Sequence, residues 1–356
     1  MSNDEFRIDS HKLMFHPKRV SDWLSGKNIG PLFMEVSPTS ACNHRCVFCG
    51  YDFTGHKPKY IQTDVYLSRL KGMAASGLKS ILFSGEGESF MHKDFTRICN
   101  ATKNAGIDTA IATNGVLMTP DKVEEIINNV SWIKVSCNGT TPGSYKDIQG
   151  TSADDFYKVI DNLKEAVRIR KELNSKCTLG LQSLLLPENR ADMPDLVRIC
   201  GEIGLDYMVV KPYSQHPLGL ADDYKGLTYE QFAGLEKELK RYETDSFRVI
   251  YRARTMERLL QGDRGYKKCM ALPFWSYVDV DMNVWGCPMF IGDDRFLYGN
   301  LVDESFEEIW NGKKRKDSLE WFKDFDVSGC RTNCRMDKVN TYLWELAHPN
   351  PHVNFI

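Results

Sequence analysis

Pro31-Leu-Phe-Met-Glu-Val36 and, just beyond it, Ser40-Ala-Cys-Asn-His-Arg-Cys-Val-Phe-Cys-Gly50 form the stretch on which the reading of this chain turns. The first run is apolar and reads as a buried strand. The second places Cys42, Cys46 and Cys49 on one short loop. Three thiolates so spaced can hold three corners of a cubane iron–sulfur cluster and leave the fourth iron without a protein ligand. Half of a zinc site is the alternative reading, although zinc usually draws its four ligands in two pairs from separate segments. His44 lies inside the loop and is a weaker ligand candidate.

Outward from this loop, short apolar runs alternate with longer helical stretches. The runs are Leu32–Val36, Ser80–Phe83, Thr109–Ala112, Trp132–Ser136, Leu179–Leu185 and Tyr207–Val210. Helical patterns fall near 62–76, 91–105, 119–129, 154–174 and 189–203, with a further one near 228–242 before the strand-like Phe247–Tyr251. Gly77, Gly106 and Gly204 stand where helix C-cap glycines belong. Repeated strand–helix units imply an α/β fold with a parallel sheet, closed or partly closed into a barrel, and an active site at the strands' C-terminal ends. Residues 1–30 are expected to wrap the outside, residues 31–255 to form the barrel, and residues 256–356 to form a cysteine-bearing module. In that module Pro273–Val280 and Val284–Cys287 flank the turn 281–283 as a hairpin.

With 356 residues, 42% hydrophobic and 26% charged, the chain suits a large globular domain plus a smaller one. A formal charge of −2 offers no basic field for nucleic acid and no polybasic membrane anchor. No apolar run approaches a bilayer's thickness, and the charged N-terminus lacks a signal-peptide core, so a cytoplasmic protein is expected. Its eleven cysteines then fit metal binding better than a disulfide framework. Seven form two groups, the loop triplet and Cys269, Cys287, Cys330 and Cys334. Cys99 and Cys200 read as core, and Cys137 and Cys177 are isolated.

The strand ends carry small or polar residues: Ser84-Gly85-Glu86-Gly87-Glu88, Thr113-Asn114-Gly115, Ser136-Cys137-Asn138-Gly139, and Gln182. Glycines there let backbone groups approach a ligand closely. With these residues in view, the chain resembles the radical S-adenosylmethionine (radical SAM) enzymes over about residues 31–215. Cys42, Cys46 and Cys49 match the family's C-x3-C-x2-C loop, with the aromatic Phe48 before the last cysteine. Ser84, Gly85, Glu86 and Gly87 resemble the Gly-Gly-Glu-Pro motif that meets the methionine amino group, departing from it at the first and last positions. Thr113, Asn114 and Ser136 resemble cofactor-contacting segments, and Gln182 stands where a ribose contact is often found. The resemblance implies a partial (β/α)6 TIM-like barrel. Its open iron would chelate S-adenosylmethionine, and reductive cleavage would give a 5′-deoxyadenosyl radical that abstracts hydrogen. A flavodoxin or ferredoxin is the implied electron donor.

The second cysteine group, with the Gly299-Asn300 and Ile309-Trp310 pairs between its members, resembles the family's SPASM and twitch extensions. Four cysteines match the shorter twitch type with one fully ligated auxiliary 4Fe–4S cluster. A structural zinc site is the alternative. Such a cluster implies loss of a second electron from a substrate radical and an oxidative outcome, as in alcohol-dehydrogenase relatives. An epimerase would need a thiol hydrogen donor. Cys137 is the first place to look and Cys177 the second, although Cys137 follows Ser136 on the strand and should point away from the lumen.

Lys211, Tyr213 and His216 follow the sixth strand, and Arg252 and Arg254 follow the seventh. They are candidates for holding an anionic small-molecule substrate such as a carboxylate, phosphate or nucleotide sugar. A solvated face, or ion pairs to Asp222 and Asp223, is the competing reading. Peptide maturation is a second function class, although the short polar N-terminus is read as leaving no room for a leader-binding domain. An iron–sulfur carrier or zinc module is a third, and it would need neither the barrel nor the glycine motifs.

Overall fold

A computed structural model describes residues 6–261 and 264–355. Seven strands run parallel: β1 (Phe33–Val36), β2 (Ser80–Phe83), β3 (Asp108–Thr113), β4 (Val130–Ser136), β5 (Thr178–Leu185), β6 (Tyr207–Pro212) and β7 (Arg248–Tyr251). Three more, β8 (Trp275–Val278), β9 (Asn283–Trp285) and β10 (Leu297–Asn300), extend the sheet in the order β10-β9-β8-β1-β2-β3-β4-β5-β6-β7. The sheet ends at β10 and β7 and does not close, so the barrel is partial.

Crossover helices explain the parallel pairing. Thr63–Ala75, Phe95–Asn104, Pro120–Ile126, Asp154–Glu172 and Met193–Ile203 each return the chain for the next strand. Gly77, Gly106 and Gly204 follow their helices at φ +94°, +83° and +86°, the left-handed cap geometry. The helix expected near 228–242 is broken into a 3-10 turn at Glu230–Phe232, a short helix at Leu235–Leu239 and another 3-10 turn. Gly234, at φ +85°, interrupts it. The helix Pro142–Gln149 escaped the sequence reading because it is short and polar. A Thr141–Ser144 capping box starts it.

Each strand presents alternate residues to opposite layers. Met34, Val36, Ile133, Val135, Met208 and Val210 pack with the helices in the main core. The other face looks into the lumen, where β4 contributes Trp132, Lys134 and Ser136, all only partly buried. Below them Tyr207, Val209 and Ile250 form a separate apolar group with Phe6 and Ile8. Gly180, in register with Tyr207, leaves space for that ring.

The C-terminal module belongs to the same sheet. β8 lies parallel to β1, pairing Phe33 with Trp275 through Val36 with Val278, and β9 returns antiparallel as the expected hairpin. β10 was not foreseen, because Gly299 and Asn300 dilute its pattern. Residues 13–29, expected to wrap the outside, pack onto this module. Leu13, Val20 and Ile29 contact Phe274 and Leu343, and Trp310 Nε1 donates to Ile29 O at 2.7 Å. Arg315 is 1% exposed. Its guanidinium lies 3.8 Å from the Trp310 ring centroid and donates to Asn28 Oδ1 at 3.0 Å.

A methyl group at residue 180 would collide with the Tyr207 ring. Gly180→Ala should therefore cost about 1–3 kcal/mol, read as a lower denaturation midpoint with an unchanged slope in urea.

Candidate functional site

The cysteine loop is held by backbone, not by its thiols. The Arg45 N–H donates to Gln149 O at 3.1 Å and the Val47 N–H to Ile148 O at 3.1 Å. These are carbonyls at the C-terminal end of the helix Pro142–Gln149, which lack intrahelical partners and accept from elsewhere. Gly150 follows at φ +58°, where a Cβ would strike Arg45 O. From the other side, Gly87 lies so close to Thr39, Ser40 and Ala41 that any side chain would meet their backbone. The Glu88 N–H donates to Ala41 O at 2.8 Å. The strand-end motif and the loop are therefore one packed unit.

The three thiols share that pocket. Burial and the neighbouring thiols push Cys46 well above its ordinary pKa, and burial pushes Cys42 up to about 11. Burial raises Cys49 as well. Cys46 Sγ is 3.8 Å from Gln149 Oε1 and Cys49 Sγ is 3.7 Å from His56 Nε2. Dry thiols with little cationic help stay protonated until metal displaces the proton. Among the described residues no three His, Cys, Asp or Glu side chains close round one point as ligands of a single ion do. A cubane sets its corners farther apart, and soft thiol donors suit iron, so the residues fit a 4Fe–4S cluster. His44 turns away from it. Its Nε2 is 3.7 Å from Asp155 Oδ2 and its ring meets Tyr145 edge-on.

The motif residues divide by role. Gly85, at φ +121°, sits against Ser37 and Tyr277 with no room for a Cβ. Ser84 Oγ donates to Glu35. The Glu86 N–H donates to Ser37 Oγ at 3.1 Å, while its carboxylate accepts from Tyr277 OH at 3.1 Å and the Val280 N–H at 3.3 Å. Burial, then Asp279, raises Glu86 to about 7. Its side chain thus ties the loop to the β8–β9 hairpin. Glu88, which sequence reasoning quoted but did not select, joins the second and third strand ends. It accepts from Thr113 Oγ1 at 2.7 Å and from the Asn114 N–H at 2.7 Å. Asn114 Nδ2 then donates to Asn43 Oδ1 at 2.7 Å, inside the cysteine loop. Gln149 was also missed, with its helix. It accepts from Asn138 Nδ2 at 2.8 Å and donates to Ser136 O at 3.3 Å. Ser136 and Gln182 pair in register at the lumen's loop end.

The remaining candidates separate. Phe48 packs beside Tyr213 in a small cluster with Ile148 and Leu184. Tyr213 OH donates to Gln215 Oε1 at 2.5 Å. His216 is buried, stacked on Phe53 at 5.4 Å. Cys137 is fully buried in the helix-side core, with Sγ 3.2 Å from Gly139 O, and so is not brought to the lumen. Cys177 is likewise core. Arg252 does not pair with Asp222 or Asp223; its Nε donates to Asp9 Oδ1 at 3.0 Å. Arg254 is exposed. Lys211 does face the lumen. Burial, together with Lys134, Arg331, Arg252 and Arg335, lowers it well below the usual lysine range.

The second cysteine group gathers at the sheet's other side. Cys269, Cys287 and Cys334 pack round Ala271, Trp275 and Met336. Burial and then Cys269 raise Cys330 to about 12, and burial raises Cys287, with Cys269 and Cys330 adding to it. Asn340 Nδ2 donates to Cys269 Sγ at 3.3 Å. Four thiols gathered at this side of the sheet, one of them accepting from an amide, fit an iron–sulfur cluster.

Comparison with known proteins agrees with this geometry. Residues 36–200 match the radical SAM superfamily and residues 269–335 match an iron–sulfur cluster-binding domain of the SPASM type. A probable GTP 3′,8-cyclase of Methanocaldococcus jannaschii is 27% identical over 213 residues, covering 58% of this chain and 65% of that protein. A tungsten-containing aldehyde ferredoxin oxidoreductase cofactor-modifying protein of Pyrococcus furiosus is 26% identical, covering 50% of each. The chain therefore spans between half and two thirds of the length of these curated relatives. In fold, Streptococcus suis SuiB bound to S-adenosylmethionine superposes with a TM-score of 0.64 at 19% identity, covering 85% of this chain and 70% of SuiB. AdoMet-bound anSMEcpe superposes at 0.60 and 18%, covering 87% and 88%. No described helix is long and apolar enough to cross a membrane. Residues 36–200 thus belong to the radical SAM superfamily and residues 269–335 to the SPASM-type iron–sulfur cluster-binding domains, which together imply S-adenosylmethionine and 4Fe–4S clusters as cofactors.

Proposed function

We propose that the chain oxidises a small polar metabolite, a sugar, sugar alcohol or nucleotide-linked compound, held in the barrel lumen between its two cysteine sites. The observation that carries this reading is chain adjacency. Arg331 follows Cys330, Arg335 follows Cys334, and both guanidiniums bear on Lys211. A molecule on that lysine would lie between the radical source and the second cluster.

When bound, S-adenosylmethionine and the two clusters supply a hydrogen-abstracting radical and an acceptor for one electron. The chain's own residues do the placing. Glu88, Asn114 and Asn43 fix the loop to the third strand end. Gly87 lets the strand-end backbone pack directly on the cysteine loop, and Gly85 lets it pack on Ser37 and Tyr277. Ser136 and Gln182 line the rim. Lys211, with Tyr213 nearby, faces the substrate space. Dehydrogenation of such a substrate removes one hydrogen atom, one electron and one proton from it; the bound groups would accept the first two and the proton would leave into the lumen. Cys137, sealed in the core, is not used, which favours oxidation over an epimerisation that needs a thiol donor. A flavodoxin or ferredoxin would supply the reducing electron.

Peptide modification is a second reading. It is favoured by an opening of about 370 Å³ at the lumen mouth, lined by Tyr213, Tyr224, Leu259 and Arg331, where an extended segment could lie.

Anaerobically purified protein should carry about eight irons and as many sulfides. One or two zincs without sulfide would remove the radical reading. Reduced protein with S-adenosylmethionine should release 5′-deoxyadenosine and methionine, and Cys46→Ala should lower that rate about a hundredfold or more. A variant with full cleavage would reassign the triplet. Cys330→Ala should keep the cleavage and lose product formation, measured as 5′-deoxyadenosine without oxidised substrate. Normal turnover by this variant would take the electron-accepting role from the second cluster.

A further inference from the structure

Two lysine side chains stand in the barrel without a directly paired anion. Register places Lys134 on β4 between Ala112 and Gly180, two small neighbours that leave room beside it. Lys211 on β6 pairs with Leu184, nearer the loop end. Among the described residues neither Nζ makes a hydrogen bond or an ion pair, and the Lys134 ammonium rests 5.5 Å from the Trp132 ring centroid.

The surrounding charges deepen the excess. Arg331 reaches in from the C-terminal module, its Nε and Nη2 donating to Ser214 Oγ at 3.1 Å and Ser214 O at 2.7 Å. Both partners are neutral, so the Arg331 charge is uncompensated. Arg335 lies 3.3 Å from Glu35 Oε2, and that carboxylate also accepts from Ser84. Arg252 is spent on Asp9, which Thr255 also contacts at 2.8 Å. The lumen thus gathers more partly buried positive charge at Lys134, Lys211 and Arg331 than its carboxylates pair, a cost that an anion would relieve. Burial, then Arg335 and Arg252, hold Lys134 down to about 7 against the opposing pull of Glu35. If folding alone were served, apolar residues of the same length would be the better choice.

We propose that Lys134 and Lys211, backed by Arg331 and Arg335, form a receptor for the anionic group of the substrate, a phosphate or carboxylate on a small metabolite. The proposal rests on the radical reading of the same lumen and names the substrate's charge class. Register sets Lys134 one row below, and Lys211 one row above, the Ser136–Gln182–Val209 row expected to meet S-adenosylmethionine, so the receptor would bracket that row.

The test uses the full chain with both clusters loaded, kept anaerobic, with inorganic phosphate, pyrophosphate and succinate as probes. Titration calorimetry and thermal unfolding are read for wild type, Lys134→Met and Lys211→Met. Wild type should bind at least one probe and gain melting temperature with it. A phosphate or pyrophosphate preference assigns a phosphate ester, and a succinate preference assigns a carboxylate. Each methionine variant should bind about tenfold more weakly or worse, yet melt no lower than wild type without anion, because an unpaired ammonium has gone. The proposal fails if wild type binds none of the probes at about 10 mM, or if the variants bind them equally. It also fails if the variants lose affinity for S-adenosylmethionine and not for the probe. Cleavage of S-adenosylmethionine by the same wild-type preparation separates the two readings. Cleavage without anion binding removes only the receptor, and absent cleavage removes the radical function itself.

Discussion

Four residues of parallel pairing between β1 and β8 hold the arrangement together. Parallel strands need a long connection, and here the connection is the whole barrel, from residue 37 to residue 274. Because β8 returns to β1 and not to β7, the C-terminal module is a continuation of the sheet. That register puts Tyr277 beside Glu35 and lets its hydroxyl reach Glu86 in the strand-end motif. Two iron–sulfur sites and one lumen therefore share a rigid frame, and the distances between them are set by hydrogen-bond register rather than by a linker.

Much of this was legible in the sequence because the signals were local. The six barrel strands announced themselves as β-rich apolar runs between helical patterns, and the hairpin at 281–283 by its turn. Gly77, Gly106 and Gly204 marked helix ends because only a left-handed cap explains glycine there. What stayed hidden was of two kinds. The helix Pro142–Gln149 and strand β10 are short and carry too few apolar residues to show a period. The roles of Glu88, Gln149, Lys134 and Arg335 depend on contacts across long stretches of chain, and no spacing rule reveals those. Arg252 shows the converse. Its position after a strand suggested substrate, but residue 9 lay close enough in space to claim it.

The two kinds of buried charge in this molecule obey opposite logics. The thiols sit in dry surroundings that oppose ionisation, so they become thiolates only as metal arrives, and metal loading is tied to proton release. The lumen lysines stand close to further cations, a crowding that the proposed anion would relieve. On the reading proposed here, binding at either site would offset an electrostatic cost that the protein carries alone. Active sites commonly trade stability in this way.

A half-closed barrel has two mouths, and the lower one concerns water rather than substrate. Phe6 and Ile8 lie on Tyr207, Val209 and Ile250 at the foot of the lumen, Phe6 with its ring 5.0 Å from that of Tyr207, and Asp9 clamps this segment to Arg252. A few residues far from either cysteine loop thus act as a cork. A carbon radical is short-lived wherever dissolved oxygen or a stray hydrogen donor can reach it, so this closure would protect a radical made at the other end of the barrel.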